Sequence, residues 1–161
     1  MSSQTLMSLS KVRSNGAETP APQVLLVDES RMGVAARRTI LREAGCEVLT
    51  ASNTVDGLEQ ITKHPIQVLV TEFKIAEQSG LEFIRAARLH NPNLGVIVLS
   101  GFTDALGLHE ANTGADIVLQ KNSSEVPQLL RGVKRLLSRK PARKPAAKAR
   151  PLVKAAAASK R

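Results

Sequence analysis

The 161-residue chain has no Trp, no Tyr and only three Phe. A core without large rings must be built from Val, Ile, Leu and Ala. The aromatic platforms on which unpaired bases stack are also missing. The single cysteine, Cys46, excludes an internal disulfide and any cysteine-based metal cage, which fits a reducing cytosol. It reads as a small buried hydrophobe ahead of a strand. No apolar run is long enough to span a bilayer. Residues 1–19 are polar and Ser-rich, without the hydrophobic segment of a secretory signal, and Lys11 and Arg13 are too few for a transit peptide. Acid is absent from residues 138–161, which hold nine basic groups. The other residues balance at fourteen basic and fourteen acidic, so the net charge of +9 reads as a neutral globular part with a cationic tail.

Four short apolar runs are present. Val24 to Val27 ends in Asp28-Glu29, Val68 to Thr71 in Glu72, Val96 to Leu99 in Ser100, and Ile117 to Gln120 in Lys121. Each is too short for a helix and reads as a strand buried on both faces. Residues 47–51 supply a further strand. In an open parallel sheet the C-terminal strand ends share one edge, where such folds place their chemistry. Three acids, a hydroxyl and an ammonium therefore converge.

Between the strands the spacing predicts helices. Ser30 or Glu29 opens the first, with Met32, Ala36, Ile40 and Ala44 as its apolar face and Gly45 as its stop. Asn53 caps a second helix carrying Leu58 and Ile61, interrupted by Pro65. Strand three is expected over 66–71, and Phe73 to Ser79 as a loop. Gly80 opens a third helix, ended by Asn91-Pro92. Thr103 is expected to cap one short helix with Leu106 and Ala111, ended by Gly114. Ser124 is expected to cap the last helix, whose stripe is Val126, Leu129, Leu130, Val133, Leu136 and Leu137. Five strands alternating with five helices predict a doubly wound α/β domain over 22–138. Residues 1–21 read as a disordered leader and 139–161 as a disordered Lys/Arg/Ala/Pro tail.

Taken together, Asp28-Glu29, the acid at 72, Gly80-Leu81-Glu82, Ser100-Gly101, Gly114-Ala115-Asp116 and Lys121 resemble the receiver domain of two-component response regulators. The resemblance implies a flavodoxin-like five-stranded parallel sheet of order 2-1-3-4-5. It also implies a phosphoacceptor position at Glu72 and phosphoryl-contact positions at Ser100 and Lys121. Asp28 and Glu29, with the Lys74 backbone carbonyl, would hold Mg²⁺. The family takes its phosphoryl group from a histidine kinase onto an Asp. Here the acid is Glu, one methylene longer, which shifts the carboxylate by up to about 1.5 Å and misplaces an in-line attack. Lys74 can reach toward the acids and compete with the cation. Asn122 follows Lys121 where Pro is usual, and Val118 stands where many receivers carry Tyr or Phe.

The expected function is an atypical, phosphorylation-independent receiver in two-component signalling. It is cytoplasmic, not an enzyme in its own right, and works through a signalling protein partner, with Mg²⁺ a cofactor only if the acid pocket functions. The last helix and the helix between strands four and five form the expected partner or homodimer face. Arg139, Lys140, Arg143, Lys144, Lys148 and Arg150 would bind nucleic-acid phosphates or an acidic partner without reading sequence. Two alternatives stand beside it: a conventional phosphoacceptor in a phosphorelay, and a nonspecific DNA-associated protein acting mainly through its tail. Bland roles also stand. Asp28 and Glu29 suit a helix N-terminus, Ser100 can satisfy strand-end backbone, and His64, His90 and His109 read as surface residues.

Overall fold

The computed structural model describes residues 20–75 and 78–139. In chain order the first elements are β1 (Gln23–Val27), α1 (Arg31–Glu43), β2 (Glu47–Ala51), α2 (Thr54–Lys63) and β3 (Val68–Glu72). Then come β4 (Lys74–Ile75), β5 (Gln78–Ser79), α3 (Gly80–His90) and β6 (Gly95–Ser100). Last are α4 (Thr103–Leu106), α5 (Glu110–Thr113), β7 (Ile117–Gln120) and α6 (Glu125–Ser138). The main sheet is parallel and runs β2-β1-β3-β6-β7, which is 2-1-3-4-5 once β4 and β5 are set aside.

The β-branched runs explain the sheet. Alternate residues of β1, β3 and β6 feed two cores. Leu25, Leu69, Val96 and Val98 pack with Phe83, Ile84 and Ile61 under α2 and α3. Leu26, Val70, Ile97 and Leu99 pack with Leu41, Leu129, Val133 and Leu136 under α1 and α6. Every residue of β6 is buried, whereas β7, at the sheet edge, is half-buried along its length. The expected two-sided burial of residues 117–120 is therefore corrected: among the described residues no strand covers the outer edge of β7.

Other local expectations change for identifiable reasons. Met32 is 86% exposed, and Ala36 and Ala44 are exposed too. A four-residue repeat drifts about 40° per step on a 3.6-residue helix. The face that α1 buries is instead Val34, Arg37 and Leu41, at the i, i+3, i+7 spacing that stays on one side. Strand three starts at Val68, two residues later than expected, though Ile66 is still buried. The predicted loop at 73–79 contains a minimal antiparallel pair, with Lys74 opposite Ser79 and Ile75 opposite Gln78.

The single short helix expected after β6 is two four-residue turns. Gly107, at φ 60°, closes α4 in the left-handed region. The Asn112 side chain then reaches back to the His109 N–H to open α5. Thr103 is not the cap of α4 but its first residue, and is buried. Ser124 stands at the N-cap of α6, but its side chain makes no capping bond. Cys46 is buried and free, and His64, His90 and His109 are exposed.

Candidate functional site

Parallel register brings the strand ends level. Val27 lies beside Thr71, Glu72 beside Leu99, and Ser100 beside Gln120. Asp28, Glu72, Ser100 and Lys121 therefore follow one another across the C-terminal edge. Asp28 is fixed from both ends. Its N–H donates to the Ala51 carbonyl at 3.2 Å, and its Oδ1 accepts from the Ser30 N–H at 2.9 Å. Ser30 Oγ in turn accepts from the Gly33 N–H, capping α1.

The Lys121 ammonium lies between two carboxylates, 2.9 Å from Asp28 Oδ2 and 2.7 Å from Glu72 Oε2. The other Glu72 oxygen accepts from the Phe73 N–H at 3.0 Å. The Lys121 N–H donates to the Ser100 carbonyl, which ties its position to β6. Asp28 Oδ2 has a second cation: Arg37 Nη1 at 3.2 Å. Arg37 Nε turns to Glu125 Oε1 at 2.5 Å, at the start of α6. The cluster is one chain of charges, Glu72–Lys121–Asp28–Arg37–Glu125, linking β3, β7, β1, α1 and α6.

Burial alone raises the Asp28 carboxyl, but the Ser30 N–H and the Lys121 and Arg37 charges outweigh it and hold the pKa below the ordinary value. Burial alone lowers the Lys121 ammonium, but Glu72 and Asp28 together hold its pKa above the ordinary value.

Asp28, Glu72 and Lys121 are brought together. The other predicted site residues are not. Ser100 is buried, and its Oγ accepts from the Phe102 N–H at 3.2 Å, a turn-forming role; the hydroxyl makes no hydrogen bond to the Glu72 or Lys121 side chain. Glu29 is exposed and makes no ion pair with Lys121 or Arg37. Lys74 is exposed on β4, and Lys121, not Lys74, pairs with the acids. Arg139 ends α6 and pairs with Asp116 at 2.9 Å. Lys140, Arg143, Lys144, Lys148 and Arg150 lie outside the described residues.

The donor set does not fit Mg²⁺. A hard cation needs several free oxygens. Both Asp28 oxygens and both Glu72 oxygens already accept from N–H groups. Among the described residues no three acid, His or Cys side chains are grouped to hold a metal.

Sequence reasoning missed Arg37. An arginine at that point looks like one more charge on a basic helix. Its place between Val34 and Leu41 on the buried face was the available signal, and its partner Glu125 lies 88 residues away.

The family described as "Response regulator receiver domain" matches residues 24–134. The chain belongs to the response regulator receiver domain family. Receiver domains of this family act in two-component signalling, typically without enzymatic activity of their own. The chain is 32% identical over 101 residues to the transcriptional regulatory protein KdpE of Mycobacterium tuberculosis, covering 61% of this chain and 43% of that protein. It is 29% identical over 99 residues to the hydrogenase transcriptional regulatory protein HoxA of Cupriavidus necator, covering 59% and 20%. The receiver domain thus spans less than half the length of these curated relatives. Among solved structures, a response regulator from Thermotoga maritima superposes with a TM-score of 0.65 at 29% identity, covering 74% of this chain and 99% of that one. A receiver domain protein from Clostridium thermocellum gives 0.65 at 27% identity, covering 72% and 94%. No helix among the described residues is long and apolar enough to cross a membrane.

Proposed function

We propose that this receiver works without phosphorylation, as a protein-interaction module of a two-component pathway. The supporting observation is the Lys121 ammonium bridging Asp28 and Glu72. In this reading Glu72 stands at the acceptor position, and Ser100 and Lys121 at the phosphoryl-contact positions. Asp28 and Glu29, with the Lys74 carbonyl, are a degenerate remnant of a metal site. The longer Glu72 side chain reaches the ammonium, while its second oxygen is held by the Phe73 N–H. A carboxylate held at both oxygens is a poor nucleophile, and one already neutralised by an ammonium gains little from a divalent cation.

Output in this reading is binding, not catalysis, by a cytoplasmic protein. The partner face is that of α4, α5, β7 and α6, where Phe102 and Leu106 are exposed beside the open strand edge. The partner is a signalling protein or a second copy of the chain, and the 139–161 segment tethers the complex to an anionic surface.

The test is incubation of the full chain with acetyl phosphate and Mg²⁺, then with a histidine kinase already phosphorylated. Intact-mass and peptide analysis should show no phosphoryl adduct. An adduct on Glu72, lost in Glu72→Gln, would establish the phosphorelay alternative instead.

A further inference from the structure

We infer that the α1/α6 face of the folded domain is itself a docking surface for duplex nucleic acid. The 20–138 portion is close to neutral in total, but its unpaired cations gather on one layer. α1 and α6 cover the same side of the sheet. Their exposed positions carry Arg31, Arg38, Arg42, Arg131, Lys134 and Arg135. Against these stands one exposed acid, Glu43, because the carboxylate of Glu125 is taken by Arg37. None of the six cations forms an ion pair among the described residues, although Arg31 and Arg38 line a groove that Asp56 and Glu59 line from α2.

The opposite layer differs. α2 and α3 carry three acids and three bases: Asp56, Glu82 and Arg85 are exposed, Lys63 and Glu59 pair with each other, and Arg88 pairs with Asp116. Asp104 and Glu110 add acid on α4 and α5. A domain with no large net charge thus has a cationic α1/α6 layer and a balanced α2/α3 layer. A field of that shape orients a polyanion toward α1 and α6.

Duplex nucleic acid fits this side better than a protein or a membrane. Five of the six cations are arginine, whose planar fork holds phosphate oxygens in pairs. Arg31 to Arg42 extends about 16 Å along α1, over which a duplex carries about ten charges. A protein partner needs a desolvated apolar anchor at its centre, and Met32 is the only large hydrophobe strongly exposed on the two helices. A membrane surface would want aromatic or bulky apolar residues on the same side, and neither helix contains an aromatic residue. No element there is shaped to read base edges, so the contact is to phosphates and is sequence-independent. The inference does not depend on the phosphorylation reading. With the tail reading it shares only the class of partner.

The experiment uses the full chain and a labelled duplex DNA of mixed sequence, with fluorescence anisotropy across a salt series. Four proteins are compared: wild type; a face variant, Arg38→Ala/Arg42→Ala/Arg131→Ala/Lys134→Ala; a control, Lys63→Ala/Arg85→Ala; and a variant with Lys140, Arg143, Lys144 and Lys148 changed to Gln. All substituted residues with a described environment are exposed, and circular dichroism checks that each variant folds. Each lost phosphate contact lowers the slope of log affinity against log salt by about 0.9. The face variant should lose about two to four units of slope and at least about tenfold in affinity, with the control unchanged. The tail variant should keep the contribution of the face. If the face variant binds as wild type does and only the tail variant weakens, the inference is overturned and the tail tether stands alone. It is overturned equally if the full chain ignores duplex DNA but binds phosphatidylserine vesicles or a poly-glutamate peptide.

Discussion

Lys121 and Asp28 stabilise the domain from opposite ends of the pH scale. Asp28 titrates below its unfolded value, so its contribution is complete above about pH 4 and is lost as pH falls through the lower folded pKa. Lys121 titrates above its unfolded value. Its contribution is complete below about pH 10 and is lost as pH rises through the higher folded pKa. Urea denaturation across pH should therefore show a plateau with a shoulder falling at each end. In Asp28→Asn the acid shoulder should shrink. An unchanged acid limb in that variant would mean that Asp28 is not the carboxylate that titrates with folding.

Gly80 acts on the same site through space. A Cβ at this position would sit 2.3 Å from the Phe73 carbonyl oxygen, which already accepts from the Gly80 N–H at 2.7 Å. The obstacle is backbone, which cannot swing aside as a side chain can. Gly80→Ala should cost about 2–3 kcal/mol in urea denaturation. It should also disturb Glu72, because Phe73 donates to the Glu72 carboxylate.

Among the elements, α1 and α6 are joined by more than apolar packing. Arg37, buried between them, spends its guanidinium on Asp28 and Glu125, both also largely shielded. Removing one member leaves the other charges in a poor environment. Arg37→Ala should cost about 2–4 kcal/mol. The double variant Arg37→Ala/Glu125→Gln should recover part of that, since the unpaired Glu125 charge is gone while the lost side-chain volume is the same as in the single variant. Recovery in the double variant, read from the urea midpoints, distinguishes a broken ion pair from lost packing volume. If the double is as unstable as the single, packing carries the cost.

At the scale of the whole molecule, the sheet was legible because its strands are continuous β-branched runs, a pattern that depends only on local sequence. Their acidic and basic ends were legible for the same reason, and so was the meeting of Asp28, Glu72 and Lys121 at one edge. What was not legible was set by distant partners or by very short elements. The inward turn of Arg37 depends on Glu125, far along the chain. The β4–β5 pair has two residues per strand, too few for an alternation to register. The break at Gly107 divides a helix that composition alone leaves whole. The excess of cations on α1 and α6 is invisible to a residue count, since the same total can be spread or concentrated.

That concentration separates two salt dependences. The ion pairs of the site are shielded; among the described residues only Lys63–Glu59 has both partners more than half exposed. Screening acts mainly on exposed charges, over about 8–10 Å at ordinary ionic strength. Exposed pairs contribute little to stability in any case. Salt also relaxes the mutual repulsion of the unpaired cations on α1 and α6. Raising sodium chloride from about 0.05 to 0.5 M should thus leave the thermal midpoint within about 3 °C, or raise it, by the usual conversion of about 2–4 °C per kcal/mol for a chain of this size. Thermal melts followed by circular dichroism at the two salt concentrations measure this directly. A fall of 10 °C or more would show that exposed ion pairs carry the fold, and would move the structural role away from the Lys121 cluster.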